Sequence, residues 1–142
     1  MRRIFWDTML FIYWLEDHPK YAPMVEKIHR EMEARKDALC TSIFTLGEIL
    51  VGPYRLGATA EVKRIRDYLE SPAVELLPFS TKAADQYARL RAQHRVSPAD
   101  AIQLACAAVQ GIDLFITHDD ALRKLNVPGI PFIAGIDGRV FP

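Results

Sequence analysis

Little in this sequence stands out by excess. Its 142 residues carry 18 lysines and arginines against 18 aspartates and glutamates. No net field therefore draws the chain toward nucleic acid or a membrane surface, and any polyanion contact has to be local. Cysteine is nearly absent. Cys40 and Cys106 stand far apart in apolar settings without CxxC spacing, which argues against a disulfide framework and suits reduced core thiols in a cytoplasmic protein. No apolar run reaches the length of a membrane span. The opening MRRIFWDTMLFIYWLEDH has basic residues and an apolar stretch, but Asp7 interrupts it and no small-residue cleavage site follows, so no secretory signal is expected. Repeats, low-complexity tracts and long linkers are missing too. With half its residues apolar, the chain is expected to form one domain over residues 1–142 around one core.

What is present is an alternation of short apolar runs with helical patterns. Residues 97–120, SPADAIQLACAAVQGIDLFITHDD, are the most informative. Residues 99–110 are apolar almost all round a helical wheel, with Asp100, Gln103 and Gln110 as exceptions; that predicts a buried helix. Gly111 ends it, and residues 114–117 read as a strand closed by His118, Asp119 and Asp120. Earlier, residues 3–6 read as a first strand, and Asp7 and Thr8 offer side-chain oxygens where a helix over 9–16 begins. An amphipathic helix follows over 21–35, then a strand over 38–41. Ser42 or Thr45 caps the next helix, which Gly52 and Pro53 are expected to stop. Residues 54–58 read as a loop, 61–70 as a charged helix with a basic face, 74–77 as a strand and 81–93 as a helix. A short helix over 121–125, a last strand over 130–133 and a turn-rich tail over 135–142 complete the chain. This order predicts an α/β fold with a mostly parallel sheet covered on both faces.

Four acids fall at strand exits or early in helices: Asp7, Glu48, Asp100 and Asp119. Each has an ordinary use. Ser97-x-x-Asp100 and Thr45-x-x-Glu48 have the shape of capping boxes, and Asp7 and Asp119 can cap the helices that follow them. Together they carry more weight, because strand exits and helix starts share the rim where open α/β sheets place ligands. Carboxylates crowded into one site repel one another unless a cation is present, and hard divalent ions prefer oxygen ligands. No Cys/His ligand set points to zinc, and no GxGxxG or Walker-type loop cradles a nucleotide. An acidic magnesium or manganese site points to phosphoryl chemistry.

The strand ending in Asp7-Thr8, the TLGEIL segment around Glu48, the SPADAIQLACA helix with Asp100, and FITHDDALRKL with Thr117 and Asp119 occur in an order and spacing that resembles PIN-domain proteins, most closely VapC-type toxins of toxin–antitoxin pairs. The resemblance implies a three-layer PIN-like α/β/α sandwich and a magnesium-dependent endoribonuclease, with manganese as a possible substitute. It further implies a homodimer, or a heterotetramer or larger assembly with antitoxin, and inhibition by a small antitoxin whose tail occupies the acidic groove. Carried over residue by residue, it makes Asp7, Glu48, Asp100 and Asp119 catalytic, with Asp7, Asp100 and Asp119 as metal ligands and Thr117 as a supporting hydroxyl. Its register favours Asp119 over Asp120. Members often carry Asn two positions after the first aspartate, and here Met9 stands there, so an amide that would orient Asp7 or the substrate is missing.

The reaction implied is hydrolysis of an RNA phosphodiester by a metal-activated water. Arg55, Lys63, Arg64 and Arg66 are candidates for backbone phosphate contacts. His118 stands where it can reach phosphate, although an ordinary loop histidine is the simpler reading; Trp6 and Trp14 read as core or interface aromatics. Rival classes fit less well. A haloacid-dehalogenase-type phosphatase needs a DxD motif, and Asp7-Thr8-Met9 has no second acid; a phospho-receiver needs an acidic pair before its accepting aspartate. A catalytically weak PIN-fold binding module, its acids only capping helices, is the alternative. A DNA-directed PIN nuclease stays open, since acids do not distinguish the sugar.

Overall fold

Ile4 and Trp6 leave one face of a strand and Phe5 the other, as period-two geometry requires, and both faces are covered. The computed structural model describes residues 2–141. Along the chain run β1 (Arg3–Trp6), α1 (Thr8–Leu15), α2 (Ala22–Arg35), β2 (Ala38–Ser42), α3 (Ile43–Arg55), α4 (Thr59–Leu69), β3 (Glu75–Leu77), α5 (Thr81–Gln93), α6 (Pro98–Ala108), β4 (Leu114–Ile116), α7 (Asp120–Arg123) and β5 (Ile133–Ala134). The strands form one sheet in the order β3-β2-β1-β4-β5, and every pairing is parallel.

Two apolar layers sandwich that sheet. On one side Ile4, Trp6, Leu114 and Ile116 pack with Leu10 and Phe11 of α1, Val25, Ile28 and Met32 of α2, Ile49 of α3 and Ile65 of α4. On the other, Phe5 and Phe115 pack with Leu90 of α5, Leu104 and Cys106 of α6 and Leu122 of α7. Phe5 and Phe115 sit opposite one another in the β1–β4 register and stack with centroids 4.8 Å apart. The chain leaves β1 toward β2 and β3, then returns to the far side of β1 for β4 and β5. The carboxyl ends of β1 and β4 therefore flank a topological switch point, where open α/β sheets form a crevice. The backbone N–H of Asp7 donates to the Ile116 carbonyl at 3.0 Å, so both strand exits are held together there.

Three expectations are corrected. First, α3 runs through Gly52 and Pro53 to Arg55: the proline withholds only its own N–H from the ladder, which resumes beyond it with the Leu56 N–H donating to the Gly52 carbonyl at 3.1 Å. The expected loop over 54–58 shortens accordingly. Second, Ser42 caps α3 and accepts the Thr45 N–H, so Thr45-x-x-Glu48 is not a capping box and Glu48 lies inside the helix. Third, β5 is Ile133–Ala134. Pro131 has no N–H to donate, Ile130 is drawn into a turn by its bond to the Val127 carbonyl, and the pairing with β4 begins only at the Phe132 carbonyl.

Because the stacked pair carries β4 toward its functional end, Phe115→Ala is expected to lower stability by about 3–5 kcal/mol, read from the urea midpoint. A loss below about 1 kcal/mol would show that this layer is not well packed.

Candidate active site

Asp7 follows β1 directly and is the N-cap of α1. It is buried, at 9% exposure. One carboxylate oxygen accepts the Thr8 N–H at 2.9 Å and the other accepts the Thr117 hydroxyl at 2.8 Å. Thr117, buried at the end of β4, accepts the Asp119 N–H at 3.1 Å, so one hydroxyl ties two of the acids together. Asp119 caps α7 through the Ala121 N–H, at 2.8 Å. Asp120 instead faces Arg123, at 3.1 Å, and is not among the residues lining the cleft. Asp100 sits in the first turn of α6, its N–H held by the Ser97 hydroxyl at 3.1 Å. Glu48 is reached from α1 by the Thr8 hydroxyl, at 2.5 Å.

Asp7, Glu48, Asp100 and Asp119 all line one cleft of about 390 Å³. Neither lysine nor arginine lines it. Burial pushes the Asp7 carboxyl up to about 6, against the pull of Thr117 and Thr8, and the Asp100 and Glu48 charges raise it further. Burial also raises Asp100, as does the Asp119 charge. The set has the hard oxygens and uncompensated charge that suit a divalent ion such as magnesium. As placed it is not a closed chelate: among the described residues no three His, Cys, Asp or Glu groups stand close enough to hold one ion together.

A buried network behind the cleft was not anticipated. Gln103, on the inner face of α6 and 1% exposed, donates to the Thr8 hydroxyl at 2.8 Å and the Thr45 hydroxyl at 2.6 Å and accepts from Ser42. It is linked to Glu48 through Thr8. Its signal was visible in the sequence as one of three polar exceptions on an otherwise apolar helix. Tyr13 and His118 at the cleft rim hydrogen-bond at 2.7 Å, a pairing between residues 105 apart that no local pattern announces.

The basic candidates lie elsewhere. Lys63 pairs with Asp67 at 2.5 Å, Arg64 with Glu61 at 2.5 Å and Arg66 with Glu70 at 2.7 Å, so α4 presents a mixed rather than basic face; Arg55 is exposed at the end of α3. Trp6 is fully buried and Trp14 partly so. Cys40 and Cys106 are buried free thiols. Among the described residues no helix is long and apolar enough to cross a membrane.

An all-parallel sheet with carboxylates gathered at its switch point defines an α/β protein with an acidic ligand site. The chain belongs to the PIN-domain family: residues 4–128 match the PIN domain. Among solved structures it is similar to VapBC2 from Rickettsia felis bound to a promoter DNA fragment, at 16% identity over 94% of this chain and 98% of that one, with a TM-score of 0.74. VapBC-5 from Mycobacterium tuberculosis matches at 23% identity over 94% and 98%, TM-score 0.61. VapC20 from Mycobacterium tuberculosis, described as a sarcin-ricin loop cleaving toxin, matches at 19% identity over 79% and 86%, TM-score 0.64. No curated protein matches the chain significantly.

Two outcomes are expected. The folded Asp7 value of about 6 lies above its ordinary 3.8, so the native state binds the extra proton; this contribution is fully present below about pH 4 and is lost as pH rises through 6. In chelator, Asp7→Asn should therefore stabilise the protein at pH 7 by up to about 3 kcal/mol and flatten its stability between pH 4 and 6, measured by urea unfolding. Wild-type and variant curves that stay parallel would contradict the burial argument. Gln103→Leu should cost about 1–3 kcal/mol by leaving the hydroxyls of Thr8, Thr45 and Ser42 without their amide; an unchanged urea midpoint would show that the network contributes nothing.

Proposed function

We propose that this protein is a magnesium-dependent endoribonuclease and the toxin of a type II toxin–antitoxin pair, acting as a single PIN domain. The observation that carries the reading is the convergence of Asp7, Glu48, Asp100 and Asp119 on one cleft without a lysine or arginine in its lining. Asp7, Asp100 and Asp119 would hold the ion, which when bound supplies charge neutralisation and an activated water for phosphodiester hydrolysis, with manganese able to stand in. The chain's own groups do the rest. Thr117 fixes the orientation of Asp7, Asp119 is held by its cap and by Thr117, and Glu48, held by Thr8, is placed to orient the attacking water or take its proton.

Support for the partner comes from a second groove. Leu15, Ile49, Pro53, Leu56 and Ile65 line it, with Glu16 and Glu61, and it shares Ile12 and Glu48 with the acidic cleft. A surface of that kind suits an antitoxin segment with apolar anchors and a basic residue that reaches the acids. Several structural neighbours were solved as toxin–antitoxin assemblies, one of them from Klebsiella pneumoniae. Homodimerisation and a reducing, cytoplasmic setting complete the reading, the latter suited to two buried free thiols. The open spacing of the acids favours one other reading, a binding module of the same fold with weak or no catalysis.

Purified free of any partner, the protein should cleave structured RNA in magnesium, and both chelator and Asp100→Asn should reduce the rate by at least about a hundredfold, as for loss of a group acting on the transition state. Cleavage that survives both changes would place the activity outside this cleft. Absence of cleavage with intact partner binding would establish the binding module.

A further inference from the structure

Among the described bonds, one side-chain donor of the cleft has no partner. Apart from the four acids, the side chains lining it that can donate are Thr8, Tyr13, Gln103 and His118. Thr8 gives its hydroxyl hydrogen to Glu48, and Gln103 spends its amide on Thr8 and Thr45. Tyr13 and His118 are bonded to each other through the phenol oxygen and Nδ1, at 2.7 Å. When the phenol donates, Nδ1 is the acceptor and the imidazole hydrogen sits on Nε2.

The ring is also held in place. Tyr21 meets His118 edge-on at 4.4 Å between centroids, Tyr13 meets it at 5.4 Å, and the two tyrosines lie 4.8 Å apart. Behind them His18 stacks on Tyr21 at 4.8 Å, its Nδ1 accepting the N–H groups of Lys20 and Tyr21 at 3.2 and 3.1 Å. The turn between α1 and α2 thus forms an aromatic brace against a residue from the far side of the switch point. A loop histidine of no consequence would not need two tyrosines against it and a third ring behind them.

Resting on the nuclease reading above, we propose that His118, braced by Tyr13 and Tyr21, contacts the substrate: its Nε2–H donates to a phosphate oxygen of the bound RNA beside the acids. A polyanion entering a cleft lined by four carboxylates needs a donor there, and no arginine or lysine of the lining supplies one. Tyr13 is a positioning residue in this scheme, and His118 fixes where the strand lies relative to the acids.

The test uses a fluorescent random-sequence pool of short single-stranded RNA, with Asp100→Asn as the background that keeps it uncut. His118→Asn retains an acceptor where Nδ1 stood and removes the Nε2 donor, whereas His118→Gln retains a donor near Nε2. His118→Asn should weaken RNA binding about tenfold, equivalent to one lost hydrogen bond. His118→Gln should restore most of the loss, and Tyr13→Phe should weaken binding less than His118→Asn. Manganese affinity, measured by calorimetry on the chain with Asp100 intact, should be the same with and without His118→Asn, as should the melting temperature. Equal RNA affinity in His118→Asn, an equal loss in His118→Gln, or a parallel loss of manganese affinity overturns the assignment. Absence of cleavage by the chain with Asp100 intact overturns the nuclease reading, whereas an RNA affinity indifferent to His118→Asn overturns this assignment alone, so the two failures are distinguishable.

Discussion

The arrangement depends on one buried carboxylate. Asp7 stands where β1 gives way to α1, at the switch point of the sheet, and is charged at neutral pH only against its own burial and the field of Asp100 and Glu48. Two hydrogen bonds, from Thr117 and Thr8, offset part of that cost. The same two residues connect onward, Thr117 to Asp119 and Thr8 to Glu48. The groups that hold Asp7 therefore also orient its neighbours. A site built in this way concentrates negative charge in a crevice with no internal counter-ion, and that unresolved charge is the physical basis for expecting a cation and a phosphate there.

Rigidity comes from behind. Gln103 joins α6, α1 and α3 by accepting from Ser42 and donating to Thr8 and Thr45, while Thr41 ties Thr45 and the Trp6 carbonyl into the same cluster. Buried polar networks are worthwhile only when their members are satisfied, and this one is closed among side chains from β2 and three helices. It sits directly beneath the cleft floor, so the helices carrying Glu48 and Asp100 cannot shift independently.

How much of this was legible beforehand depends on whether a feature is written locally. Strands over 3–6 and 114–117 and the buried helix carrying Asp100 follow from composition and period, and the structure has them, the second strand one residue shorter at Leu114–Ile116. The four acids were legible as strand-exit and helix-start residues, although the Thr45–Glu48 spacing imitated a capping box that Ser42 in fact provides. The error at Gly52-Pro53 has a similar origin: a proline withholds one N–H from the ladder, and here the ladder resumes beyond it through the Leu56 N–H and the Gly52 carbonyl. The partners of Gln103 and the pairing of Tyr13 with His118 were not legible, since both join residues that only the crossover connections bring together. The basic side chains of α4 were read as a single-sign face because composition does not show that each is paired one turn away.

The tripeptide Thr117–His118–Asp119 shows how little chain the site needs. Extended backbone sends alternate side chains to opposite sides, and here Thr117 turns inward to Asp7 while His118 reaches the aromatic rim. Asp119, at the bend into α7, lines the cleft while capping the helix that follows. Capping and ligand-facing roles are thus compatible for one carboxylate, since one oxygen accepts the Ala121 N–H and the other is left uncommitted among the described bonds. Asp100 is tied to its cap from both sides, its N–H donating to the Ser97 hydroxyl and its carboxylate drawn down by the same side chain against the burial that raises it. Glu48 has no capping role at all. Structural use of these acids, offered by the sequence as a sufficient explanation, does not account for Glu48, and in no case does it remove the charge from the cleft.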